Sequence, residues 1–112
     1  MVNYIPRQRD IVTLDFDTSR GNEIKKRRPA VVVSSLGFNR STGFCVCCPI
    51  TSTKKKHPTN VEISDVSNRI SGSILTSQLK SFDYKARGIA YVETLNVCQW
   101  AEVKKKIELI FE

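Results

Sequence analysis

Residues 10–95 contain about six short runs with strand character and no long helical stripe, and each run is closed by turn residues. "DIVTLDF" (10–16) alternates, with Val12, Leu14 and Phe16 on one side. "AVVVSS" (30–35) is β-branched enough for a buried central strand. "FCVCCPI" (44–50) follows the turn "NRSTG", and "NVEI" (60–63) follows the basic loop "STKKKHPT". "SILTSQL" (73–79) and "GIAYVETL" (88–95) flank the polar turn "KSFDYKAR". Only residues 96–111 read as a full helix: Val97, Trp100, Val103, Ile107 and Ile110 recur at helical spacing, and Asn96 with Gln99 resembles a capping pair. Lys104, Lys105 and Lys106 form its solvated face, and "LGFNR" (36–40) has room for one further helical turn. Short strands closed by one helix predict a mainly β fold, a small and strongly bent antiparallel sheet or barrel of about six strands with a C-terminal helix. No repeat or linker divides residues 1–112, so one domain is expected.

Charge narrows the function classes. Eighteen Lys and Arg against 11 Asp and Glu give a formal net charge of +7, large for a 112-residue surface and attractive to polyanions. Solubility alone would also explain it, so spacing has to decide. The apolar runs are too short to span a bilayer, and "MVNYIPRQRD" lacks the apolar core of a signal peptide, which predicts a cytoplasmic protein without membrane contact. Three of the four cysteines sit in "GFCVCCPIT". Adjacent strand residues point to opposite faces, so Cys47 and Cys48 cannot converge on one ion; buried thiols are expected, with no metal and no cofactor.

The loop before the central strand is less ordinary. "RGNEIKKRRPAVVVSS" (20–35) puts five cations and Glu23 immediately before an apolar strand. "RDIVTLDFDTSRGNEIKKRRPAVVVSS" as a whole resembles the opening of the PemK/MazF family of toxin endoribonucleases, "GDIV-x-L-DFD-P-x-x-G-x-E-x-x-x-x-RPAVV-x-S", with small departures. "FNRSTG" is similar to that family's post-strand turn, "CPITS" to its catalytic Thr motif and "SQLKSFDYKARG" to its next strand and turn, so the resemblance covers residues 6–112. It implies an SH3-like barrel shared with the CcdB gyrase poisons, a homodimer and an antitoxin partner. It also implies sequence-specific cleavage of single-stranded messenger RNA without metal, leaving 2′,3′-cyclic phosphate and 5′-hydroxyl ends.

Such cleavage needs a base for the 2′-OH proton, cations for the charge growing on the phosphoryl oxygens, and an acid for the departing 5′-oxygen. Arg28, at the junction of loop and strand, has a planar fork suited to two phosphate oxygens. Thr51, in "CPITS", resembles the family's second catalytic residue, whose hydroxyl can donate to a phosphoryl oxygen. A guanidinium holds its proton, so Glu23 is preferred as the base or as the group that orients Arg28. Lys25, Lys26 and Arg27 read as steering cations, and Lys54, Lys55 and Lys56 as a patch that tracks the RNA backbone. Lys80 and Arg87, in the turn after the strand Gln, join the RNA-binding set. Gln78 matches that strand Gln, while Ser77 stands where the family usually has Asp or Glu. His57 is a loop residue, since one His cannot be both acid and base. Phe38, Phe82 and Tyr84 are candidates for base stacking or for core.

Two other classes fit the barrel: a gyrase-binding poison without chemistry, and a non-catalytic basic RNA-binding barrel. Glu23, Arg28 and Thr51 in the ribonuclease pattern argue against the first, and end-mapping of a cut RNA separates all three. A toxin of charge +7 should pair with an acidic antitoxin.

Overall fold

The computed structural model describes residues 4–16, 27–53, 56–63 and 69–112. Its strands are β1 (Asp10–Asp15), β2 (Arg27–Val32), β3 (Phe44–Thr51), β4 (Asn60–Ile63), β5 (Gly72–Leu75), β6 (Lys80–Asp83) and β7 (Ala90–Thr94). Helix α1 (Leu36–Thr42) lies between β2 and β3, and helix α2 (Val97–Ile110) closes the chain. The strands form one antiparallel sheet in the order β4-β5-β3-β2-β1-β7, with β6 also pairing β3. β3 is long enough to serve two partners: residues 44–47 pair with β6, and Ile50 and Thr51 pair with β5. The sheet therefore curls about β3 into a half-barrel.

The alternation of β1, β2 and β3 feeds two apolar clusters. Ile11, Val31, Cys48, Ile50, Val61, Ile63 and Ile74 pack with Leu95 and Val103 beneath α2. Val12, Leu14, Ala30, Val32, Cys45, Cys47, Phe82 and Tyr84 form the other cluster. Cys47 and Cys48 face opposite ways, as strand geometry requires, and all three β3 thiols are buried.

Three sequence expectations change. "KSFDYKAR" contains a strand, β6, because Phe82 is buried at 1% exposure and pulls its polar neighbours into pairing with β3. The run 73–79 stops as a strand at Leu75 and continues as a 3-10 turn, Thr76–Gln78, where the Thr76 hydroxyl donates to the Thr59 carbonyl. "NRSTG" is the end of α1, which the Ser35 Oγ caps by accepting from Phe38 N at 3.2 Å. Asn39 makes that short helix structural. Its side-chain Nδ2 donates to the Pro6 carbonyl at 2.7 Å, and its backbone carbonyl accepts from the Tyr84 hydroxyl at 2.8 Å, which ties three distant segments together.

The α2 stripe is only half used. Asn96 Oδ1 accepts from Gln99 N at 2.8 Å as its cap, Val103 is buried, and Trp100 and Ile107 pack on the core. Val97 and Ile110 are exposed instead. The 14-residue helix is about 21 Å long.

Candidate active site

Arg28 enters the site through the pairing of β2 with β1, where Leu14 opposes Arg28 and Asp15 opposes Arg27. Arg27 fixes that junction. Its Nη2 donates to the carbonyls of Thr13 (3.0 Å) and Gly88 (2.7 Å), and its Nη1 lies 3.5 Å from Asp15 Oδ1. Gly88 has φ +61, in the left-handed region that favours glycine, and a Cβ there would stand 3.2 Å from the Arg27 guanidinium, close enough to press on it. Arg87 grips the other strand end, its Nη1 donating to the Phe16 carbonyl at 2.6 Å and to that of Asp15 at 3.2 Å. The turn after β6 therefore pins the end of β1 and the start of β2 together, and Arg28 follows immediately from that anchor.

Thr51 ends β3 opposite Ser73 of β5. Its Oγ1 accepts from Thr53 N at 3.3 Å, which leaves the hydroxyl proton available for donation. The backbone beneath it is tightly fitted. Gly72 has φ +130, and a Cβ there would come within 2.0 Å of the Thr51 carbonyl oxygen, so only glycine lets β5 approach the threonine this closely.

Thr51 stands between two open depressions. One, about 490 Å³, is lined by Arg28, Pro29, Ile50, Thr51, Ser52, Arg69, Ile70 and Ser71. The other, about 290 Å³, is lined by Thr51, Lys56, His57, Asn60, Leu75, Ser77 and Gln78. The first presents two guanidiniums, hydroxyls and no carboxylate among the described residues. The second is mixed, with a cation, an imidazole, two side-chain amides and an apolar floor. His57 is braced there by Thr59, whose N–H donates to Nδ1 at 3.4 Å and whose Oγ1 lies 2.9 Å away.

The fold thus gathers Arg28 with Thr51 in one depression and Thr51 with Lys56 and Gln78 in the other. Arg27, Lys80 and Arg87 line neither: Lys80 Nζ and Arg87 Cζ lie 5.6 and 5.5 Å from the ring centre of buried Phe82. Glu23, Lys25, Lys26, Lys54 and Lys55 lie outside the described residues. Of the stacking candidates, Phe82 and Tyr84 are core and Phe38 is exposed on α1. Sequence reasoning passed over Arg69 and Asn60, because single polar residues near strand ends look like any solvated side chain.

A curled antiparallel sheet backed by one helix, with two arginines and a threonine lining one open groove, describes a small β protein with a basic groove. Comparison with known proteins makes this specific. Residues 7–111 match the PemK-like, MazF-like toxin family of type II toxin-antitoxin systems, and the chain belongs to that family. It is 35% identical over 107 residues to the endoribonuclease toxin MazF of Escherichia coli strain K12, covering 96% of this chain and 95% of that one. In structure it resembles the MazF crystal structure from Deinococcus radiodurans with a TM-score of 0.86, 30% identity and coverage of 97% and 98% of the two chains. The MazE-MazF structure from the same organism gives a TM-score of 0.89 at 30% identity, covering 97% of each chain.

Proposed function

We propose that this chain is the endoribonuclease toxin of a toxin-antitoxin pair and that it cuts single-stranded RNA, messenger RNA in the cell, at a short sequence across Thr51. The convergence of Arg28 and Thr51 on one groove, whose described lining carries two arginines and no carboxylate, supports the reading. Arg28 holds two oxygens of the scissile phosphate, and the Thr51 hydroxyl donates to a phosphoryl oxygen. The substrate's 2′-oxygen attacks phosphorus, its proton passing to a base for which Glu23 is the candidate, or Glu23 orients Arg28. The bond to the 5′-oxygen breaks as that oxygen takes a proton, leaving a 2′,3′-cyclic phosphate and a 5′-hydroxyl. The nucleophile belongs to the substrate, so the scheme needs no metal-activated water.

The second depression takes the strand onward, with Lys56 and Gln78 as its RNA contacts. Lys25, Lys26, Lys54 and Lys55 attract the backbone, and Lys80 adds to the field. Arg27 and Arg87 spend their guanidiniums on the sheet, so their part in binding is to fix the groove's wall. The toxin is a cytoplasmic homodimer restrained by an acidic antitoxin; relatives are seen with MazE, and a +7 chain favours an acidic partner.

End-mapping tests this. Purified protein with a long RNA in excess EDTA should cut at a recurring short motif and leave cyclic phosphate and 5′-hydroxyl ends. Ends bearing a 5′-phosphate, or activity lost in EDTA and restored by Mg²⁺, would overturn the scheme.

A further inference from the structure

We infer that Arg69 is a second RNA-contacting cation of the groove, holding the phosphate next to the one at Arg28, and that Glu93 is the residue that positions it. The inference rests on the RNA-cleaving reading above and adds a binding residue and its support.

Two observations carry it independently. Arg69 lines the same depression as Arg28 and Thr51, and Arg69 is exposed. Among the described residues its guanidinium has no hydrogen bond or ion pair, whereas those of Arg9, Arg27 and Arg87 are committed to carbonyl oxygens of the fold. Two arginines lining one groove, with no carboxylate among its described lining, concentrate positive charge there, and a polyanion offsets it.

The second observation concerns the backbone under Arg69. Glu93 Oε2 accepts from Arg69 N at 2.7 Å and from Ile70 N at 2.9 Å, two charge-assisted bonds from one half-buried carboxylate. Glu93 reaches them because the pairing of β1 with β7 is irregular: Ile11 opposes Glu93 while Val12 opposes Tyr91, leaving Val92 as the extra residue. The bulge sits in the strand that supplies the clamp, and bulges commonly re-aim side chains beside sites. Ile70 packs on the core at the same point, so the segment is held by a carboxylate and by apolar contact. The two bonds hold the Arg69 backbone in place where the residue lines the groove.

A contact to a flanking phosphate is made equally in the ground state and the transition state, so its removal raises KM and spares kcat. Cleavage of one RNA substrate is measured over a range of salt for the parent, Arg69→Ala, Arg69→Lys, Glu93→Gln and Arg69→Ala with Glu93→Gln, each checked for folding by thermal melting. Arg69→Ala should raise KM about tenfold, leave kcat within about twofold, and reduce the slope of log affinity against log salt by about 0.7. Arg69→Lys should keep most of that slope. Glu93→Gln should raise KM in the parent and add nothing in the Arg69→Ala background, because its effect runs through Arg69. An unchanged KM and slope in Arg69→Ala would overturn the contact, and a fall in kcat at unchanged KM would move Arg69 to the scissile phosphate and overturn the flanking assignment. A Glu93→Gln loss of equal size in both backgrounds would make Glu93 merely structural and overturn its positioning role. Should the parent fail to cut RNA, the catalytic reading falls by itself; binding of a 2′-deoxy oligonucleotide by the same variants then reads the Arg69 slope.

Discussion

Arg27 and Arg28 are neighbours with the same side chain, and the fold gives them different work. Arg27 donates into the sheet at Thr13 and Gly88, while Arg28 lines the groove beside Thr51. One-residue alternation on a strand separates an anchor from a groove-lining residue. Both arginines were visible in "KKRRPAVV", but which one the sheet would consume was not, since that depends on a glycine some sixty positions away whose carbonyl takes the bond. The distinction sets a prediction for Arg28. Lysine keeps the charge and loses the fork, so Arg28→Lys should fold, bind RNA with similar affinity, and cleave about a hundredfold more slowly or worse at saturating RNA. Single-turnover rates check it; cleavage near the parent rate would mean that Arg28 acts only as a point charge.

β3 is the element on which the half-barrel turns, and its "CVCCPIT" is apolar on both faces because it is covered on both. That much was in part legible: the run reads as a strand with buried thiols pointing alternately to its two faces, while the expectation of a buried central strand fell on 30–35. β6 was not, because one phenylalanine among polar residues carries no periodicity until the curl of the sheet supplies its cavity. The thiols also give β3 a pH signature. Burial pushes Cys48 up to about 12 from an ordinary value of 9.0, and the bond with Cys45 together with burial pushes Cys47 up as well. Below pH 9 the Cys48 thiol is protonated in both folded and unfolded chains, so its contribution is fully present there. As pH rises from 9 toward 12 only the unfolded chain ionises, and stability falls. The melting temperature should therefore drop between pH 9 and 11, and Cys48→Val, similar in volume, should lessen the drop, with Cys47 supplying part of what remains. An equal decline in the variant would place the alkaline sensitivity elsewhere.

At the scale of the molecule, binding and chemistry separate. The +7 charge and the two depressions meeting at Thr51 describe a basic surface with one shared point, which in the proposed scheme a phosphate backbone follows. The charge could be counted in the sequence, but the meeting of the depressions could not, since Arg28, Thr51, Lys56, Arg69 and Gln78 come from five separate segments that only the curled sheet joins. Phosphate contacts do not distinguish ribose from deoxyribose; in the proposed scheme the nucleophile does. Replacing only the ribose 5′ of the scissile phosphate with deoxyribose should therefore abolish cleavage while changing the dissociation constant by no more than about twofold. The same oligonucleotide, added to normal substrate, should inhibit competitively with an inhibition constant equal to its dissociation constant, because it fills the groove and cannot react. Its inhibition should weaken with salt in parallel with substrate binding, as both depend on the same counterion release. A deoxy substrate cut at a comparable rate would require water as the nucleophile, and Arg28 and Thr51 would then be stabilising a different transition state from the one proposed.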